Sequence, residues 1–172
     1  KDPEKPFTLY VGFITPHFPL VIEQKYFDLY PDKESLQRPV QFGKDEWPQH
    51  PVINDYRRYC CTADISEDEA WNAIRVYYAL CSFMDEQAGV VLDALNNSGL
   101  ADNTYVIYTS DHGDTMGAHG IYYKSTMYEG SAGVPMIISG PGIPKGTTCN
   151  TNVSLLDIFP TLLECANITP DE

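Results

Sequence analysis

Thr104–Ser131 reads TYVIYTSDHGDTMGAHGIYYKSTMYEGS, and the way this stretch begins decides the fold. Tyr105-Val106-Ile107-Tyr108 is β-branched and aromatic, the composition of a buried strand. The pattern then breaks into Asp111-His112-Gly113-Asp114, which sets a carboxylate and an imidazole side by side just past the strand's carboxyl end. Open α/β sheets bind their ligands at that end of the strands. About twenty residues without periodicity follow, rich in Gly, His, Lys and Tyr, before the next apolar run at Val134-Pro135-Met136-Ile137-Ile138. A loop of that length inside a compact domain is functional or disordered. The density of aromatic and ligand-type side chains here favours function.

Upstream lies the clearest helix. Ser66-Glu67-Asp68-Glu69 has the spacing of a capping box, with the Ser66 side chain on the backbone N–H of Glu69 and Glu69 reaching back. Acidic residues in the first turn also suit the helix dipole. Ala70, Ile74, Tyr77, Tyr78, Cys81, Met84, Ala88, Val91, Leu92 and Leu95 recur at three and four, an apolar stripe facing a core. Gly99 is placed to terminate the helix at C′. Further back, Phe7-Thr8-Leu9-Tyr10-Val11-Gly12-Phe13 has the length and apolar continuity of a central strand buried on both faces. Strand, helical crossover and strand make a parallel-sheet signature. The expected class is therefore α/β with a mostly parallel sheet. Met136–Ser139 is a third strand, closed by Gly140-Pro141-Gly142. A last helix is expected from Asp157 as N-cap, with Pro160 in its first turn and an apolar face of Leu156, Phe159, Leu162, Leu163 and Ala166.

Between Leu20 and Ile65 the sequence shows one short helical turn around Tyr26-Phe27 and otherwise reads as a long connection. At 172 residues the chain fits one domain and can bury roughly 70% of its unfolded surface. No apolar run approaches the ~18 residues of a membrane span. The formal net charge of −13 argues against nucleic acid or an anionic membrane surface as partner, while leaving room for a small anionic substrate held by local groups. Five cysteines show no metal-type spacing and read as free thiols, with one disulfide available if the protein is exported. Asn96-Asn97-Ser98, Asn152-Val153-Ser154 and Asn167-Ile168-Thr169 match a glycosylation acceptor pattern that is frequent by chance. Periplasmic, secreted and cytoplasmic locations all remain open. The opening Lys1-Asp2-Pro3 is not a natural start, so the chain is expected to lack its true beginning.

The chemistry concentrates in the long loop. Asp111 offers a hard anionic oxygen and His112 a nitrogen ligand, both next to a Gly turn where the backbone leaves the strand. Lys124 returns towards them, and His17, in Thr15-Pro16-His17-Phe18-Pro19, sits at the end of the other expected central strand. A cation, a lysine and a histidine converging on one crevice describe an oxyanion site. His17 can protonate or hydrogen-bond a leaving oxygen, and Lys124 supplies a mobile ammonium. His119 is a candidate for contact with substrate, and Asp114 for capping the turn.

These segments resemble the type I sulfatase family of the alkaline-phosphatase-like superfamily. Thr109-Ser110-Asp111-His112-Gly113-Asp114, Gly117-Ala118-His119-Gly120 and Lys124-Ser125-Thr126-Met127-Tyr128-Glu129 carry the likeness. Val134–Gly142, Asp157–Leu163 and Pro16-His17-Phe18-Pro19 continue it, with a flavour of the choline-sulfatase and iduronate-sulfatase-like members. The resemblance implies a three-layer α/β/α domain that cleaves a small sulfate ester. It also implies Asp111 and His112 as ligands of a divalent cation, usually Ca²⁺ and in some relatives Mn²⁺ or Mg²⁺. Lys124 and His17 match the residues that contact the sulfate and its leaving group.

Two departures accompany the likeness. Gly133 stands where members often carry an arginine. No cysteine lies in the Cys-x-Pro-x-Arg pattern that is oxidised to the formylglycine nucleophile, and the first pair of aspartate ligands is missing. The chain is thus expected to be a carboxyl-terminal part of a sulfatase catalytic domain, inactive in isolation, that pairs with the missing part or with itself. Phosphonate monoester or phosphodiester hydrolysis in the same superfamily is the rival reading, and a non-catalytic binding or structural fragment is another.

Overall fold

A computed structural model describes residues 6–169. Its organising element is a 31-residue helix, and the other elements take their numbers in chain order around it. The segment 20–65 holds two helices, α1 (Gln24–Phe27) and α2 (Pro51–Tyr59). The second corrects the reading of this segment as connection. Pro51 at the first helical position needs no N–H partner, and Arg57 and Arg58 in the last turn suit the dipole. The long helix α3 spans Glu67–Asn97 and opens on the expected capping box, with Ser66 Oγ accepting from Glu69 N–H and the Glu69 carboxylate accepting from Ser66 N–H. It ends at Ser98, and Gly99 follows at φ +74° as expected of a C′ residue.

The core forms on the first half of α3. Ala70 and Ile74 pack with Leu36, Phe42 and Tyr122, flanked by Tyr30, Trp71, Tyr78 and Met116. Ala79 and Leu80 are the next buried positions, while Leu92, on the expected stripe, is exposed. The stripe therefore meets a partner over only part of its length. Aromatic and polar contacts dock α1 on α3. Tyr26 meets Phe83 edge to face and donates to Glu86, and Tyr30 shares a hydrogen bond with Ser82. The Arg75 guanidinium lies over the Phe27 ring and donates to Tyr30 O.

Two strands follow, β1 (Val106–Thr109) and β2 (Met136–Ser139), separated by the long loop and the short helix α4 (Glu129–Ala132). They pair antiparallel, with Val106 opposite Ser139 and Thr109 opposite Met136. The Tyr108 hydroxyl reaches Met84 Sδ, 4.0 Å away, and so ties the pair to α3.

The parallel strand expected over Phe7–Phe13 does not form among the described residues. Residues 8–13 are assigned to no strand, and Leu9 and Tyr10 are exposed. A central strand needs a neighbour on each edge, and the two strands present bond to each other. The last helix, α5 (Ile158–Cys165), also differs at its start. Asp157 holds the N-cap position as expected, but its side chain makes no cap bond to α5. Ser154 caps a preceding 3₁₀ turn, Leu155–Asp157, and the Asp157 carboxylate reaches back to Ser154 N–H at 2.7 Å. The apolar face of α5 is present but uncovered, with Leu156 and Phe159 largely exposed. All five cysteines are free, and burial pushes the Cys81 thiol up to about 11, which keeps it protonated and unreactive. No helix among the described residues is long and apolar enough to cross a membrane. The described architecture is a partial α/β domain.

Candidate active site

The chain leaves β1 at Thr109 and turns at once. Ser110 Oγ donates to His112 O at 2.8 Å, and His112 N–H donates to Asp111 Oδ1 at 3.0 Å. The next residue is Gly113, whose N–H donates to Ser131 O at 2.9 Å. A Cβ at Gly113 would stand 2.2 Å from Gly130 O, so only glycine lets α4 lie this close to the turn. The histidine tautomer follows from its partner. His112 Nδ1 sits 2.8 Å from Gly113 O, which can only accept, so Nδ1 is the donor and Nε2 is the nitrogen turned towards Asp111. That Nε2 lies 3.5 Å from Asp111 Oδ2, and the Asp111 side chain is exposed. Burial acts to raise the Asp111 pKa. The His112 charge and three hydrogen bonds outweigh it and hold the carboxyl below its ordinary value.

The loop that follows is folded on itself. Thr115 N–H and hydroxyl both donate to Tyr123 O, and Gly117 N–H donates to Ile121 O. Asp114 organises this turn from inside, its Oδ1 accepting from Met116 N–H at 2.9 Å and from Tyr123 N–H at 3.0 Å. Burial raises its pKa, and those two donors and the Lys124 charge only partly offset the rise. Ile121 is fully buried and Tyr122 nearly so, which plugs the loop into the core.

The loop delivers Lys124 to His17. Lys124 Nζ lies 2.6 Å from His17 Nε2, across 107 residues of sequence. His17 Nδ1 faces Phe18 O at 2.9 Å, so Nδ1 is the donor and Nε2 accepts from the ammonium. The His17 and His112 ring centroids are 6.2 Å apart. Phe18 stacks on His17 and meets Tyr123 edge to face, forming one aromatic wall beside the pair. His17, His112 and Lys124 therefore come together, with Asp111 next to His112.

His119 stands elsewhere. At φ +58° its ring stacks on Tyr128, with centroids 4.0 Å apart, and its Nδ1 pairs with Gln41 Oε1 at 2.7 Å. Burial, then the Arg57 charge, lowers its pKa. Tyr56 and Arg57, on α2, had no signal in the sequence. Tyr56 donates to Lys124 O, and Arg57 donates to His119 O at 2.5 Å. At Gly133 the Glu129 side chain fills the space a Cβ would need, 2.4 Å from Oε1.

Among the described residues no three His, Cys, Asp or Glu side chains converge as a complete metal-ligand set. Asp111 and His112 nevertheless fit a divalent cation as part of one. They present an anionic oxygen and a free imidazole nitrogen 3.5 Å apart at the mouth of a loop.

With this geometry in hand, the family model described as Sulfatase matches residues 1–168. The chain belongs to the sulfatase family. A sulfatase of Formosa agariphila is 40% identical over 98% of this chain and 34% of its own length. A choline-sulfatase of Rhizobium meliloti is 36% identical over 99% of this chain and 33% of its own. This sulfatase-family chain spans about a third of the length of these relatives. Among solved structures, a phosphonate monoester hydrolase of Agrobacterium radiobacter superposes with a TM-score of 0.84 at 25% identity, over 98% of this chain and 36% of that one. The fold class is thus alkaline-phosphatase-like, and the antiparallel pair and α3 are part of that domain. The family generally uses a metal ion and a formylglycine.

Proposed function

We propose that the complete protein is a sulfuric ester hydrolase acting on a small sulfate ester, and that this chain supplies the electrostatic part of its site. The observation that carries the reading is the 2.6 Å approach of Lys124 Nζ to His17 Nε2, beside the His112 ring. Two groups so far apart in sequence are held where one sulfate could touch both. The Lys124 ammonium neutralises developing charge on non-bridging oxygens. The same ammonium, oriented by its contact with His17 Nε2, is placed to donate a proton or hydrogen bond to the departing oxygen. Asp111 and His112 would hold a divalent cation, Ca²⁺ by the family resemblance, which when bound would supply Lewis-acid polarisation of the sulfate. His119, with Tyr128 and Gln41, contacts the remainder of the substrate. The nucleophile, a formylglycine by the same resemblance, belongs to parts of the protein outside this chain.

Hydrolysis of a phosphonate monoester is the second reading, supported by the likeness to a phosphonate monoester hydrolase. Lys124→Ala in the complete protein tests the shared chemistry. Loss of this cation is expected to lower kcat/KM for an aryl sulfate by about 10²–10³-fold, and an unchanged value would remove Lys124 from the site.

A further inference from the structure

Helix α2 reaches the long loop with two consecutive side chains. The Tyr56 hydroxyl donates to the main-chain oxygen of Lys124 and lies 3.4 Å from that of Tyr122. Arg57 takes the other end of the loop, donating to His119 O. These hydrogen bonds go to the backbone at Lys124 and His119, not to the Lys124 ammonium or the His119 ring. Both act on the backbone that carries them.

The two grips are themselves fixed. Arg57 is buried, and its Nη1 donates to Asn54 Oδ1 at 2.7 Å and to Pro48 O at 3.2 Å, while its Nε has no hydrogen-bond partner among the described residues. Its plane lies over the Trp47 ring, 4.8 Å from the centroid, and Trp47 is tied in turn to Phe42 O. A buried guanidinium spent on carbonyls, with no carboxylate partner, contributes its geometry, because its fork is planar and pre-organised. Burial, together with the neighbouring Cys60, pushes the Tyr56 hydroxyl pKa up, so it stays a donor at any working pH.

We infer that Tyr56 and Arg57 form a clamp that fixes the main chain of residues 119–124 and so holds Lys124 against His17. Tyr56 is then a positioning residue for Lys124, acting through its backbone. The inference rests on the sulfatase reading only for its kinetic consequence. The clamp itself is a statement about the loop. An ammonium on a four-carbon stem is mobile, so its placement within hydrogen-bond reach depends on where its Cα is pinned. A misplacement of ~1 Å costs up to about 10²-fold in rate.

The test uses the complete protein with two measurements. Tyr56→Phe removes the hydroxyl and leaves the ring. Hydrogen exchange at the amides of 121–126 should then quicken at least severalfold. With an aryl sulfate, kcat should fall by about tenfold or more, and the same substitution should cost nothing further in a Lys124→Ala background. Arg57→Lys, which keeps the charge and loses the fork, should quicken exchange at the 117–120 amides instead. Unchanged exchange in both variants overturns the clamp. Faster exchange with an equal loss of kcat in both backgrounds also overturns it, since Tyr56 would then support the fold without acting through Lys124. A wild-type protein that turns over no sulfate ester defeats the sulfatase reading, and exchange then decides the clamp alone.

Discussion

Gly120 packs its backbone against the Trp47 ring, and the cost of filling that contact can be worked from the structure. Gly120 sits at φ +67°, and an added Cβ would stand 2.2 Å from Trp47 Cε2 and 2.4 Å from Cδ2. Two terms follow for Gly120→Ala. The left-handed backbone costs an L-residue about 1–2 kcal/mol. Forcing a methyl into a packed ring adds about 1–3 kcal/mol, and Trp47 cannot yield freely because its indole N–H is held by Phe42 O and its face by Arg57. The sum is about 2–5 kcal/mol. Gly99 is the built-in control, with φ +74° and no heavy atom within 4 Å of the added Cβ. Gly99→Ala should show only the backbone term, about 1–2 kcal/mol. Urea unfolding of both variants, compared at a common m-value, reads the difference. Equal losses in the two variants would refute the packing argument and free Trp47 from its proposed place under the loop.

Further outcomes follow from the same contacts. His119 has a folded pKa below its ordinary 6.5, so the unfolded chain binds the proton first. The stability it contributes is present above 6.5 and is lost as pH falls from there towards the folded value. His119→Asn, which tolerates the left-handed backbone, should flatten that part of a stability–pH profile, and an undiminished slope would assign it to another group. Ser66→Ala removes half of the capping box of α3 and should cost about 1 kcal/mol by denaturant unfolding, whereas no loss would mean that packing alone sets the helix start. Asp111→Asn should weaken Ca²⁺ binding to the complete protein by at least the 10–100-fold typical of outer-sphere changes. Titration calorimetry showing unaltered affinity would take Asp111 out of the metal site.

What the sequence revealed and what it hid divide along a physical line. The start of α3 was legible because a capping box is local, with its donors and acceptors within four residues. Its end was legible because Gly99 adopts a backbone conformation that few other residues accept. Asp111, His112, Lys124 and His17 were legible as candidates because their residue types and order match a known family pattern. Helix α2 was hidden. Its nine residues, PVINDYRRY, carry few apolar positions, and it is held by side-chain contacts to a loop some sixty residues away. The Phe7–Phe13 segment shows the opposite failure. Its apolar run states what the segment can bury, but a strand exists only where a neighbour supplies the ladder, and residues 8–13 are assigned to no strand. The same holds for the face of α5. The pairing of His119 with Tyr128 and Gln41 was equally invisible, because a glycine-rich loop encodes its own path in hydrogen bonds such as those of Asp114 and not in periodicity.

The central claim is that the complete protein uses Lys124 and His17 on a sulfate ester, and one comparison tests it most directly. With an aryl sulfate and an aryl phosphonate monoester offered in parallel under the same metal conditions, kcat/KM should be higher for the sulfate. A higher value for the phosphonate, or turnover of neither, would contradict the account.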